Sequence, residues 1–567
     1  MSLAHAELPP RTERAPVQPL GVPEARLPAR AQRMARIVSV SGAQAVAVLE
    51  PGATVGGPSE ARVEIGATMT IPTPHSIVLG LVSAMSKPLA DTAAGHDDIN
   101  LIELNLAGEI VMDRVTSRPI FRRGVSGMPS IGDGVHLADQ EALQLAYTQP
   151  ASATVNVGTL YQNAEVPARL LVDDLFGKHF LIVGTTGSGK SSALTCVLQS
   201  LLPEYQHARV VILDVHNEYG QPFGDHAEVI DPSNLNLPFW LLNFQELTAA
   251  FTSSDDQHEA EVEVLADAVL WAKRRYMDSP SGRLRRSAEG QVVSIDTPIP
   301  FRLADLVSYI DNQLGKLDRT LNALAYKRLK GRIETLVSDP RYSFMFGSLM
   351  IEDTMTDVLG RLFRVPVDGK PITVLNLAAV PAEILDVVIS VISRLTFDLA
   401  NWSNARLPTL IVCEEAHRYA PADSGDKFMP TRQALARIAK EGRKYGVSLA
   451  LITQRPSELD PTILSQCSTL IAMRLSTERD QTVIRANTHE GALELLDFLA
   501  ILGDREAIVI GQGAVMPMRI RFRDLQTHGI AKNNHDGFSR AWKHSTIDRE
   551  ALADIVQRWR SPTKAKA

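Results

Sequence analysis

Residues 178–192 read Lys-His-Phe-Leu-Ile-Val-Gly-Thr-Thr-Gly-Ser-Gly-Lys-Ser-Ser, and the rest of the chain is organised around them. Phe180 to Val183 is an apolar run too short for a helix, of the kind that forms a buried parallel strand. Gly184 to Ser191 then fits G-x-x-x-x-G-K-[ST], the phosphate-binding loop. Helix-forming residues with apolar spacing come next, from Ser192 to Leu202, so the loop lies between strand and helix as the motif requires. Glycines let the backbone wrap tightly, and successive N–H groups with the helix N-terminus converge on an anion. Lys190 is placed to reach the β- and γ-phosphates, and the Ser191 hydroxyl to ligate Mg²⁺. The expected cradle is therefore Gly184, Thr185, Thr186, Gly187, Ser188, Gly189, Lys190, Ser191 and Ser192. A glycine-rich turn matching by chance is the alternative, and the flanking strand and helix argue against it.

Length allows about two to four domains in these 567 residues, each able to bury a core. With 45% hydrophobic and 22% charged residues the composition is that of a soluble globular protein. A net charge of −7 excludes a global basic field, so any nucleic-acid surface must be local, such as the inside of a ring. Cys196, Cys413 and Cys467 lie in apolar segments without C-x-x-C spacing and read as reduced core residues of a cytoplasmic protein. No apolar stretch approaches the ~18 residues that suggest a membrane span, and the most apolar helix candidate, 382–400, is interrupted by Glu383, Asp386, Arg394 and Asp398.

Residues 1–34 hold six prolines and five arginines without periodicity and read as a disordered leader. From 35 to 160 short β-type runs alternate with turns such as Pro51-Gly52 and Gly132-Asp133-Gly134, which predicts a small N-terminal β-barrel. Arg122-Arg123-Gly124 within it reads as a solvated turn rather than a phosphate contact. The nucleotide core is expected over 168–530. Its second strand, Ala208 to Val215, ends in Asp214-Val-His-Asn-Glu218-Tyr219. Parallel α/β sheets put ligand sites at the carboxyl ends of strands, which places Asp214 and Glu218 beside the nucleotide; a turn cap is the other reading.

Residues 240–365 lack strand patterning, and the stretches 244–252, 256–277, 302–313 and 317–337 carry helical spacing. They predict an inserted helical subdomain, with a loop over 279–299. Basic runs at Lys273-Arg274-Arg275, Arg283 to Arg286 and Lys327 to Arg332 are DNA candidates by charge. Most such runs are solvated faces, so none is assigned to DNA. Strands resume at Ile372–Leu377, Thr409–Cys413 and Val447–Thr453, with later ones at 468–475, 505–511 and 515–523. Alternating strands and helices predict an α/β class, with a parallel, RecA-like sheet. A C-terminal helix over 541–560 and a basic tail complete the segment 531–567.

Thr409 to Cys413 ends in two carboxylates, the second requirement of a hydrolytic phosphate site. Glu414 is assigned to the Mg²⁺ shell, and Glu415 to the attacking water. Gln454, at the end of the next strand, either senses the γ-phosphate or caps the turn at Pro456. Arg443, at a helix end just before that strand, is either an arginine finger reaching a neighbouring subunit's γ-phosphate or a basic last turn answering the helix dipole.

These motifs in this order resemble the HerA branch of the FtsK–HerA superfamily, ring-shaped DNA-pumping ATPases. The resemblance runs from about residue 35 to 525. Phe121-Arg-Arg-Gly-Val-Ser with Pro129-Ser-Ile-Gly-Asp is similar to the family's barrel, and Lys178-His179 ahead of Gly184 to Ser191 to its Walker A approach. Asp214-Val-His-Asn-Glu-Tyr219 is similar to its Asp-x-His-Gly-Glu-Tyr segment, and Glu415-Ala-His417 to its Walker B. Arg443-Lys-Tyr-Gly446 with Thr453-Gln454 is similar to its finger and sensor region. Glu414 stands where the family usually has aspartate. Lys178 stands where the resemblance implies a cationic residue acting on its own subunit's nucleotide. The resemblance implies ATP with Mg²⁺, a homo-hexamer with nucleotide between subunits and double-stranded DNA in the channel. It also implies a nuclease of the NurA type, or another effector, docked on the barrel side, and no membrane. Two rival functions remain at this level. One is a nucleotide-gated scaffold that activates an effector with little translocation, and the other is a motor with protein cargo.

Overall fold

The computed structural model describes residues 33–50, 63–87, 100–148, 152–252, 258–279, 293–316, 323–347, 352–423, 429–488, 493–525, 550, 552–553 and 555–556. Residues 1–32 of the leader, Arg283 to Arg286, most of the 279–299 loop and nearly all of the 531–567 segment with its expected helix lie outside them.

The N-terminal strands are β1 (Arg33–Ser41), β2 (Gln44–Leu49), β3 (Thr68–Pro72), β4 (Ile77–Ser86), β5 (Leu101–Met112), β6 (Pro119–Arg123) and β7 (Gly134–Leu137). Their order is β2-β1-β7-β3-β4-β5-β6, and a further β2–β5 pairing closes six of them into a barrel with β6 laid on β5. Inward positions such as Ile37, Ala47, Met69, Val82, Leu104 and Val135 fill it. Closure removes the free strand edges that so short a sheet would otherwise present.

The second sheet holds β8 (Thr154–Leu160), β9 (Pro167–Leu171), β10 (His179–Val183), β11 (Val210–Asp214), β12 (Ala227–Ile230), β13 (Ile372–Asn376), β14 (Thr409–Cys413), β15 (Val447–Thr453), β16 (Cys467–Ala472), β17 (Glu506–Gly511) and β18 (Met518–Phe522). The order is β12-β13-β11-β14-β15-β10-β16-β17-β18-β8-β9. The stretch from β12 to β16 is parallel, and β17, β18, β8 and β9 continue it antiparallel. Strands β10, β11, β13, β14 and β15 are buried at every residue, as parallel strands covered on both faces must be. The run at 154–160, expected in the barrel domain, instead pairs with β18 and β9. Its alternation suits an antiparallel edge of either sheet, so pattern alone could not assign it.

Between β12 and β13 the described residues form helices, chiefly Phe244–Phe251, His258–Asp278, Leu303–Leu314, Ala323–Ser338 and Met355–Leu362. The insertion is tied to helix Ala382–Trp402 by a buried ion pair. Arg394 Nη2 lies 2.9 Å from Glu246 Oε2, and Glu246 is fully buried. Ser390 Oγ also donates to Glu246 (2.9 Å), and Glu246 closes a capping box with Asn243. Lys273, in the first basic run, is buried, and its Nζ donates to the carbonyls of Ile295 (2.6 Å) and Thr297 (2.7 Å). It clamps a loop and presents no charge to DNA.

Arg123 is not a solvated turn residue either. Its Nε donates to Val515 O (2.8 Å) and its Nη2 to the carbonyls of Gly511 (3.1 Å) and Ala514, fastening the barrel to the β17–β18 connection. Asn105 Nδ2 donates to Glu494 Oε2 (2.6 Å) and makes a second fastening.

Candidate active site

Register brings the strand ends level. Val183 pairs with Thr453, and Cys413 with both Leu451 and Leu213. Gly184, Gln454, Glu414 and Asp214 therefore leave the sheet along one edge. Strand β15 sits between the loop strand β10 and the acid strand β14, so the residues leaving β15 face both.

The loop has the conformation its glycines permit. Gly187 and Gly189 take φ of 78° and 100°, in the left-handed region, and Gly189 caps helix Lys190–Leu201. A Cβ on Gly184 would stand 2.4 Å from Ser188 Oγ and 3.0 Å from Met473 Cβ, so that position requires glycine for space. The loop is anchored by Thr185 N–H donating to Arg474 O at the end of β16 (2.8 Å).

Lys190 is buried at the loop's centre, and its Nζ donates to Thr185 O (3.4 Å). Burial lowers its pKa, and the charges of Glu415, Glu218 and Glu414 oppose that. Thr186 Oγ1 donates to Gln454 Oε1, which sets the amide against the loop, between phosphate cradle and acids.

Glu415, the second residue after β14, has φ of 47°, a strained left-handed conformation for a residue with a side chain. Its Oε2 is buried without a hydrogen bond, 3.3 Å from His417 Nδ1, and that nitrogen lies 3.0 Å from Thr453 Oγ1. Ser188 Oγ and Tyr219 Oη are likewise buried and unpartnered. Three orphaned polar atoms around one glycine-rich loop fit a polar ligand with its own donors and acceptors, a triphosphate with a hydrated divalent cation. Among the described residues no group of three or more His, Cys, Asp or Glu could cage a metal. A serine hydroxyl beside the loop fits Mg²⁺, which dehydrates reluctantly and takes one or two protein oxygens plus phosphates and waters. Ser191 supplies the hydroxyl, which here donates to Glu218 Oε2.

Two acids have other duties. Asp214 is fully buried, and its oxygens accept the backbone N–H groups of His216 (3.3 Å), Glu218 (3.1 Å) and Tyr219 (3.0 Å). It caps the turn after β11, and the nucleotide-contact reading is corrected on that ground. Glu414, expected at the metal, is 3% exposed, and its Oε2 accepts Val215 N–H (3.1 Å) and His216 N–H (3.4 Å). Burial, then Asp214 beside it, pushes its pKa up to about 9. Glu218, expected near the nucleotide without an assigned role, gains one through its contact with Ser191.

Lys178 is also displaced from its expected place. It precedes β10 at the end opposite the loop, pairs with Asp174 and donates to Gln512. The strand alone separates it from Gly184 by roughly 17 Å, too far to act on its own subunit's phosphates. Arg443 is exposed near the C-terminus of helix Met429–Tyr445. The helix ends just before β15, which runs parallel to β10 with Thr453 level with Val183, so Arg443 precedes the strand ends that lie away from the loop. It therefore stands at the same far end.

Fold and site together define a P-loop ATPase of the RecA-like kind, with an extra strand between the phosphate-loop strand and the acid strand. Residues 155–396 match the family described as the helicase HerA central domain. The chain is similar along most of its length to HerA-type helicases. It is 25% identical over 527 residues to the DNA double-strand break repair helicase HerA of Sulfurisphaera tokodaii, spanning 88% of this chain and 95% of that one. To the protein of the same name from Pyrococcus furiosus it is 23% identical over 433 residues, 70% of this chain and 74% of that one. Among solved structures, VirB4 of Thermoanaerobacter pseudethanolicus aligns with a TM-score of 0.46 and 16% identity, over 66% of this chain and 96% of that one.

Proposed function

We propose that the chain is a double-stranded DNA translocase that hydrolyses ATP at sites shared by neighbouring copies in a hexameric ring. The observation that carries the shared site is the placement of Arg443 just before β15, toward the end of β10 opposite the chain's own phosphate loop. A guanidinium there is out of reach of its own loop, which supports its acting on another copy's site. The DNA substrate is supported by the relatives, which are named as DNA double-strand break repair helicases.

In this reading the loop N–H groups and Lys190 hold the β- and γ-phosphates. Ser191 would hold Mg²⁺, which would supply neutralisation of the phosphate charge. Glu415 takes a proton from the attacking water, and the neighbour's Arg443 stabilises charge on the transferring group. Gln454, set between loop and acids, registers loss of the γ-phosphate and passes it to β15. The test is ATPase measured with and without duplex DNA, together with triplex displacement. DNA-stimulated turnover and displacement are expected, both lost with Arg443→Ala. Full turnover by an isolated subunit, indifferent to DNA and to Arg443, would overturn the proposal.

A second reading has an observation of its own. Val115, Ile131, Met128 and Met112 on the barrel domain are 90%, 75%, 53% and 45% exposed, apolar side chains that a docked effector such as a NurA-type nuclease would cover. If nucleotide binding activates a co-purifying enzyme without DNA or translocation, the scaffold reading replaces the motor. No helix among the described residues is long and apolar enough to cross a membrane.

A further inference from the structure

We propose that Glu218 is the carboxylate that holds the Ser191 hydroxyl and the water shell of the nucleotide's divalent cation, and that Glu414 is a strut with no place in that shell. The inference rests on the nucleotide reading above and reassigns one acid within it.

The geometry divides the two acids clearly. Ser191 Oγ, the hydroxyl of the phosphate-loop motif, donates to Glu218 Oε2. Glu218 is exposed to solvent. Glu414 is 3% exposed and spends Oε2 on two backbone N–H groups of the turn after β11. Glutamate is one methylene longer than the aspartate usual at the Glu414 position, and here that extra reach ends on the neighbouring strand instead of the loop.

Glu218 is also held in place from below. The buried Asp214 accepts the N–H groups of Glu218 and Tyr219 at 3.1 and 3.0 Å. Asn217 takes φ of 59°, and its Oδ1 accepts from Asn376 Nδ2 at the end of β13 (2.9 Å). The turn is thereby pinned to both strands that flank its exit, and the Glu218 side chain is aimed at Ser191.

A hydroxyl that ligates a cation through a lone pair keeps its hydrogen, and an anionic acceptor for that hydrogen makes the oxygen a better ligand. The same carboxylate can accept from cation-bound waters, the usual way a protein holds Mg²⁺ beside phosphates. Glu218 is thus a positioning residue acting through Ser191 and water, distinct from Glu415, which faces the reaction.

The experiment uses the full chain, ADP and Mn²⁺, with bound Mn²⁺ read by electron paramagnetic resonance, so that no turnover is involved. Affinity for ADP in excess chelator is measured in parallel and reports an intact loop. Glu218→Gln is expected to raise the Mn²⁺ Kd of the ADP complex by about 10- to 100-fold, the usual cost of losing a partner of a metal ligand, while chelated ADP binds as in the parent. Glu218→Asp is expected to recover part of the loss. Glu414→Gln, which keeps an acceptor for the two N–H groups, is expected to shift the Mn²⁺ Kd less than about threefold. An unchanged Mn²⁺ Kd in Glu218→Gln, or a larger shift in Glu414→Gln, overturns the assignment. Failure of the parent chain to bind ADP with or without Mn²⁺ would instead sink the nucleotide reading itself.

Discussion

Glu415→Gln separates chemistry from binding. The side chain keeps its size and shape, so no cavity opens beside β14. The left-handed backbone at φ of 47° is needed equally by both side chains. The Oε2 position receives no hydrogen bond in the parent, so an amide NH₂ there breaks none. What disappears, on the proposed role, is the general base. A positioned general base contributes about 10²- to 10⁴-fold, and at ~1.36 kcal/mol per decade the barrier should rise by about 3–5 kcal/mol. Phosphate release under saturating ATP should fall by that factor, while affinity for a fluorescent non-hydrolysable analogue stays within about threefold. Turnover within a few-fold of the parent would show that Glu415 is not the base. Joint loss of turnover and binding would show instead that its role is to hold the strand end, through His417 and Thr453.

Three other perturbations test the frame around the site. Arg394→Met leaves the fully buried Glu246 without its partner and should cost about 3–5 kcal/mol in urea unfolding; adding Glu246→Gln should return part of it. Gly184→Ala places a methyl 2.4 Å from Ser188 Oγ, and nucleotide affinity should collapse; Gly187→Ala meets open space and should cost only the strain of its φ of 78°. Asp386 carries a pKa raised to about 6, first by burial. Its folded form holds the proton more tightly than the unfolded chain does, so its contribution to stability is full below pH ~4 and is lost as pH rises through ~6. Asp386→Asn should remove that decline, worth up to about 3 kcal/mol; identical pH–stability curves for parent and variant would refute it.

The phosphate loop was legible because its chemistry is local. Backbone N–H convergence, glycine freedom and one lysine all lie within nine consecutive residues. The parallel sheet and the helical insertion were legible for a similar reason, since uniform burial and helical spacing are written along each element. Acid roles were not legible. Asp214 ends a strand and Glu218, Glu414 and Glu415 come after strands, and a strand end places a carboxylate near an edge without saying which way it turns. The basic runs misled in the same manner: charge marks Lys273 as a surface residue, yet two carbonyls and a buried stem make it a loop clamp.

By itself, then, the chain's order of residues determined a nucleotide-binding α/β core, a small β domain ahead of it and an all-helical insertion. Tertiary structure alone decided that residues 154–160 join the large sheet, that Arg123 fastens barrel to core, and that Lys178 and Arg443 stand at the end of β10 away from the loop. It also turned Glu414 onto β11 and left Glu218 against Ser191. The physical reason is range: periodicity and loop chemistry act over a few neighbouring residues, whereas the partner of a side chain depends on strand order and register set by contacts hundreds of residues apart.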